Sequence, residues 1–133
     1  MQEAKKTGDV MAKNIKLTAS LEDYLKAIYF LHQIDNSVRL IDIAGRISVS
    51  KPSAFNAISQ LSDMGLVNHI KFGPVELTTR GIEAAQNLVV KHRTIKLFLM
   101  RVLNIDESLA YSEACAIEHR ICDVTLDKMA SMI

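Results

Sequence analysis

Apolar positions recur at helical spacing along most of this chain, and only the stretch from Leu66 to Thr78 switches to the short runs of strands. Leu21, Leu25, Ile28 and Tyr29, continued by Leu31 or His32, predict a helix that stops before Asp35-Asn36-Ser37. Ser20 is a suitable cap for it, and Glu22 and Asp23 fall in its first turn, where the helix dipole favours acids. Ile41, Ala44 and Ile47 mark a second, short helix. After a turn at Val49-Ser50, Lys51-Pro52-Ser53 opens a third, capped by Ser50, with Pro52 where a missing N–H costs nothing. Ala54, Ala57, Ile58 and Leu61 form its inward face, and Gly65 is a natural stop.

Leu66 to Lys71 and Val75 to Thr78, joined by Phe72-Gly73-Pro74, predict a β-hairpin. Two short helices followed by a hairpin are the element order of a winged helix-turn-helix, and also of a generic small α+β unit. Thr79 then caps a long helix reaching about Leu103, with Ile82, Ala85, Val89, Ile95 and Leu99 on one face and Leu88, Phe98 and Val102 broadening it. So wide an apolar band exceeds what one small domain needs and points to self-association. A helix from about Glu107 to Ile121 follows the joint at Asn104-Ile105-Asp106, and Thr125 caps a last one. The fold class is therefore mainly α with a small β-hairpin. The pattern divides the chain into a mobile basic arm over 1–17, a winged helix unit over 18–80 and a helical unit over 81–133.

Composition narrows the class. With 133 residues, 49% apolar and 23% charged, the chain can bury a real core, and disorder is not expected. Its apolar runs fall short of the roughly 20 residues needed to span a bilayer, and the polar start lacks a signal-peptide core, so a cytoplasmic protein without membrane contact is expected. Cys115 and Cys122 are seven apart and read as free thiols. Net charge is only +1, yet the excess is uneven: residues 36–80 hold five basic against three acidic side chains, and from 81 onward seven acids face six bases. A nucleic-acid surface is favoured in the first part of the chain.

In a helix-turn-helix the second helix enters the major groove by its N-terminal residues, here Lys51, Pro52, Ser53, Asn56 and Gln60. Asn and Gln can pair bidentately with adenine, Ser takes either partner, and Pro52 or Ala54 could touch a thymine methyl. Lys51, Arg39, Arg46, Lys71 and Arg80 suit phosphates.

The run Glu-Ala-Cys-Ala-Ile-Glu-His places Cys115, Glu118 and His119 three and four apart, so that on a helix they converge on one point. A thiolate, a carboxylate and an imidazole suit a borderline divalent ion such as ferrous iron, manganese, cobalt, nickel or zinc. Three ligands from one helix leave the coordination sphere open for other parts of the chain. His92, inside the apolar stripe of the long helix, reads either as a packed core residue or as a ligand. Asp23 reads equally as a surface acid, and Cys122 as apolar filler or a further ligand.

These residues stand within a pattern that resembles the DtxR/MntR family of metal-dependent transcriptional repressors. The matching segments are Leu21-Glu22-Asp23-Tyr24-Leu25-Lys26-Ala27-Ile28-Tyr29, Asp42-Ile43-Ala44, Val49-Ser50-Lys51-Pro52-Ser53, Leu77-Thr78-Thr79-Arg80-Gly81, Lys91-His92-Arg93 and the run from Glu113 to His119. They cover about residues 18–133 in family order. The resemblance implies a homodimer that binds double-stranded operator DNA, represses metal uptake genes and takes Fe2+ or Mn2+ as corepressor, with Zn2+, Co2+ or Ni2+ as substitutes in vitro. It implies that 18–80 is a winged helix DNA-binding domain and 81–133 a helical metal-binding and dimerisation domain, with Asp23, His92, Cys115, Glu118 and His119 as metal ligands.

Cys115 is similar to the iron branch and Asp23 to the manganese branch, while Lys26 stands where manganese regulators carry another carboxylate. Lys96 and Tyr111 stand where the iron branch uses an ancillary carboxylate and histidine. One metal per subunit is the expectation, in a chain lacking the SH3-like third domain of longer iron regulators. Two other classes stay open: a metal-independent winged helix DNA-binding or interaction module, and a Cys-His hydrolase, for which no oxyanion loop is evident.

Overall fold

The computed structural model describes residues 17–70 and 73–133. The basic arm expected over 1–17 therefore lies outside the described residues except for Leu17, and Lys71 lies outside them too. Six helices and one hairpin follow in chain order among the described residues: α1 (Ala19–Ile34), α2 (Leu40–Ile47), α3 (Lys51–Asp63), β1 (Val67–His69), β2 (Val75–Leu77), α4 (Thr79–Arg101), α5 (Glu107–Ile117) and α6 (Asp123–Met132).

Local chemistry sets the helix starts. Ser50 caps α3 as expected, accepting from Ser53 N–H at 3.2 Å. The cap of α1 is Thr18, not Ser20; its hydroxyl accepts from Leu21 N–H at 3.1 Å, which starts the helix two residues early. α4 is capped by Thr78, one residue before the expected Thr79, and α6 by Cys122 rather than Thr125. Between α2 and α3 the chain turns at Ser48, a non-glycine residue in the left-handed region with φ 64°. Gly65, with φ 78°, ends α3 as its position suggested.

The two strands pair antiparallel with Val67 opposite Leu77 and His69 opposite Val75. Val75 N–H also donates to Val38 O at 2.7 Å, tying the hairpin to the segment before α2. The turn between hairpin and α4 is tight: a Cβ on Gly81 would lie 2.0 Å from Leu66 O, so glycine is required there for want of space.

Two apolar clusters result. Leu25, Ile28, Ile43, Ile58, Leu61, Val67 and Val75 are fully buried in the first, to which α4 adds Ala85 and Leu88. Ile95 and Leu99 of α4 form the second with Ala110 and Ala114 of α5. The buried line of α4 thus runs through Ala85, Leu88, Ile95 and Leu99, whereas Ile82 is exposed and Val89 half-buried, contrary to the stripe read from the sequence. α4 is the spine shared by both clusters, and α1 packs beside it. That arrangement brings the first turns of α1 against the end of α5.

Candidate metal centre

α5 stops earlier than its apolar pattern suggested. Its last residue is Ile117, and Glu118 forms the C-cap, still in right-handed helical geometry with φ −56° and ψ −27°. His119 follows in the same turn. Glu118 and His119 therefore meet at one point, whereas Cys115, expected to converge with them, lies against His92, and the helix itself does not reach Ile121.

Glu118 is the only charged residue in the buried core among the described residues, at 0% exposure. A carboxylate so far from water needs cationic or hydrogen-bonding partners. It has them from two other helices: Lys26 Nζ of α1 donates to Oε2 at 2.6 Å, and His92 Nδ1 of α4 lies 2.9 Å from Oε1. Cys115 Sγ is 3.8 Å from the same His92 nitrogen. The other face of the cluster is built on His119, whose Nδ1 lies 2.7 Å from Glu22 Oε1 and whose Nε2 faces Asp23 Oδ1 at 3.2 Å and Glu118 Oε2 at 3.7 Å. With Nδ1–H donating to Glu22, the lone pair on Nε2 points at two more acceptors.

Acceptors facing acceptors is unfavourable unless a proton or a metal ion sits among them. The contact network joins three carboxylates, Glu22, Asp23 and Glu118, to one ammonium, Lys26. Two negative charges remain when both imidazoles are neutral, which is the charge of one divalent ion. Donor atoms of Asp23, Glu118 and His119 lie within 4.8 Å of one another. Ligands about 2.1 Å from a common ion are at most about 4.2 Å apart, so side-chain rotation by a few tenths of an ångström closes the set.

Burial shifts the neighbouring groups in one sense. The His92 imidazole is held below its ordinary pKa by desolvation first and by the Lys26 ammonium second, so the neutral form is favoured. Its Nε2 is buried without a hydrogen-bond partner among the described residues. Burial likewise raises the Cys115 thiol, opposed by Lys26 and by a hydrogen bond from Tyr111, whose ring also meets His92 edge-on at 4.8 Å. A neutral imidazole and a buried carboxylate, with a thiol that becomes a donor on giving up its proton to a metal, are a set that fits a borderline ion.

Of the five candidate ligands, the fold thus gathers Asp23, Glu118 and His119 around one point, sets His92 on the other oxygen of Glu118, and places Cys115 against His92. Cys122 does not join them. It is exposed at the start of α6, with Sγ 3.5 Å from Thr125 Oγ1, so it is neither apolar filler nor a neighbour of the cluster. Glu22 was passed over as a dipole-favoured acid, yet it orients His119; the signal was that a ligating imidazole needs an acceptor on its other nitrogen.

The DNA-facing candidates occupy one side of the first unit. Lys51, Pro52, Ser53, Asn56 and Gln60 are exposed on α3, and Arg39 is exposed just before α2. Ala54 is fully buried and cannot reach a thymine methyl; exposed Phe55, missed in the sequence, stands beside it. Arg46 lies over the Phe30 ring at 5.4 Å, and Arg80 donates to Met64 O at 3.3 Å, so both have structural work apart from phosphate binding.

The two halves of the cluster coincide with two matched domains. Residues 16–73 match the iron dependent repressor N-terminal DNA binding domain, and 78–133 the iron dependent repressor metal binding and dimerisation domain. The chain belongs to the iron-dependent repressor family. It is 33% identical to an uncharacterized HTH-type transcriptional regulator of Methanocaldococcus jannaschii over 85% of its own length and 91% of that protein's.

Among solved structures it is similar to a manganese-dependent transcriptional repressor in complex with manganese, at 32% identity and TM-score 0.77, covering 84% of this chain and 51% of that one. The manganese regulator SloR (35% identity, TM-score 0.73) and IdeR of T. acidophilum (29%, TM-score 0.73) are each matched over 84% of this chain and 52% of theirs. The chain spans about half the length of these solved relatives. Iron-dependent repressors are transcriptional regulators and not enzymes, which removes the hydrolase reading. The contacts of Lys26 and Asp23 with Glu118 and His119 run from one matched family domain to the other. No helix among the described residues is long and apolar enough to cross a membrane.

Proposed function

We propose that this chain is a cytoplasmic, homodimeric repressor of metal uptake genes that binds operator DNA when a divalent transition metal, Fe2+ or Mn2+, is held between its two domains. The observation that carries the proposal is the acid-rich cluster: the carboxylates of Glu22, Asp23 and Glu118 converge with the imidazoles of His92 and His119, from α1, α4 and the end of α5, around the single ammonium of Lys26. Asp23, Glu118 and His119 hold the metal, with His92 adjoining it through Glu118 and Cys115 beside His92. When bound, a divalent ion supplies the two positive charges these donors lack, one ion per subunit. Zn2+, Co2+ and Ni2+ suit the same mixed donors in vitro.

The remaining roles belong to the protein's own groups. Glu22 fixes the His119 ring so that Nε2 faces the cluster. Asp23 is part of the DNA-binding domain, and Glu118 and His119 are part of the dimerisation domain, so drawing them together limits how far α3 swings from the dimer axis. Two recognition helices then sit about one DNA turn, roughly 34–36 Å, apart more of the time. Lys51, Pro52, Ser53, Asn56 and Gln60 read the major groove, with Arg39 and Lys71 on phosphates. A tenfold gain in operator affinity needs only about 1.4 kcal/mol of coupling. Val90, Leu103, Leu109 and Tyr111 are exposed apolar side chains of α4, α5 and the joint between them, and supply the surface for a second copy.

Fluorescence anisotropy on a duplex selected from a random pool tests this. Binding should tighten at least tenfold when Mn2+ or Fe2+ replaces chelator. Equal affinity under both conditions refutes the proposal and favours a metal-independent winged helix module.

A further inference from the structure

Lys26 stands apart from the other groups of the cluster. Among the described residues it is the one ammonium in contact with these acids, it reaches 92 positions along the chain to Glu118 Oε2 at 2.6 Å, and its side chain is only 14% exposed. Its helix belongs to the DNA-binding domain and Glu118 to the dimerisation domain. A bridge between the two domains is thus complete with protein atoms alone. The oxygen it occupies is also the one that lies 3.7 Å from His119 Nε2, where the donors of the proposed metal converge.

We propose that Lys26 is a resident cation of this centre: its ammonium ties α1 to Glu118 before metal binds, and it competes with metal for the shared carboxylate oxygen. The inference rests on the metal reading of the cluster only for its second half. Two consequences have opposite signs. Removing the ammonium loosens the two domains in chelator, because the buried carboxylate then has no cross-domain counter-ion. The same change strengthens metal binding, because the donors carry one more negative charge and no side chain has to be displaced. Lys26 therefore sets a narrow metal response, in which the unliganded protein already holds part of the closed geometry. A residue that only supported the fold would not produce both effects.

The experiment compares the full chain with Lys26→Met, which keeps the length and removes the charge, and Lys26→Arg, which keeps the charge. In chelator, amide hydrogen exchange in α1 and the turn after α5 is expected to quicken about tenfold in Lys26→Met, a coupling at the lower end of the usual range, and to stay near wild type in Lys26→Arg. Amides of α2 and α3 should not change. By calorimetric titration with Mn2+ alone, Lys26→Met is expected to bind about tenfold more tightly than wild type. Unchanged exchange in Lys26→Met overturns the inference, as does acceleration spread equally over α2 and α3, or Mn2+ affinity equal to or weaker than wild type. No DNA is present in either arm, so a failure of metal-dependent operator binding is read separately.

Discussion

Replacing Glu118 by Gln tests how much the fold itself depends on the buried carboxylate. Gln keeps the shape but removes the charge that accepts from Lys26 Nζ at 2.6 Å and faces His92 Nδ1 at 2.9 Å, at a position with 0% exposure. At that separation a unit charge pair is worth about 6 kcal/mol with an effective dielectric of about 20, before desolvation is counted. Breaking one partner of a buried pair typically costs about 3–5 kcal/mol. Lys26 keeps 14% exposure and can turn partly to water, so the lower end, about 3 kcal/mol, is expected.

Urea unfolding in chelator at fixed protein concentration measures that cost, with a fall in Tm of about 10 °C as its thermal counterpart. The double variant Lys26→Met, Glu118→Gln leaves no unpaired buried charge and should be at least about 1 kcal/mol more stable than the sum of the single losses predicts. A Glu118→Gln protein within about 1 kcal/mol of wild type, or strict additivity in the double variant, would refute the reasoning.

Further outcomes are expected for the fold, for pH dependence and for DNA binding. Gly81→Ala places a Cβ 2.0 Å from Leu66 O, a backbone atom that cannot rotate aside, and should cost about 3 kcal/mol in urea unfolding; a loss under about 1 kcal/mol contradicts the tight approach. Burial holds His92 below its ordinary pKa, so the unfolded chain takes a proton near pH 6.5 that the folded chain resists; chelator-treated protein should lose stability as pH falls below that value, and His92→Asn should flatten this acid limb. Cys115, raised by burial, gives the opposite limb, losing its contribution as pH rises past about 9. Gln60→Ala should relax sequence preference with little change in metal affinity, whereas Lys51→Ala should weaken all duplexes alike and lower the salt slope by about one.

What could be read from the sequence was what local chemistry decides. Ser50 and Pro52 placed the start of α3, Gly65 its end, and the alternation around Gly73-Pro74 the hairpin. The meeting of Glu118 and His119 was legible because they occupy one helical turn, whereas Cys115, one turn earlier, packs against His92 of α4 instead. On α4 the expected Ala85, Ile95 and Leu99 are buried, but its two halves serve different cores, so Leu88 joins that line while Ile82 and Val89 fall away from it. Glu22 and Lys26 were opaque as partners of His119 and Glu118, since each contact closes more than 90 positions of chain and depends on how α1 lies against α5. Cys122 was misplaced because the expected helix continued past Ile117, where the chain instead turns and restarts.

The central claim is that one ion joins the DNA-reading domain to the dimerisation domain. Anomalous scattering from crystals grown with excess Mn2+ tests it most directly. The account predicts one peak per subunit, bonded to Asp23 of α1 as well as to Glu118 and His119. A peak held by residues of one domain only, or none at the cluster, would contradict it.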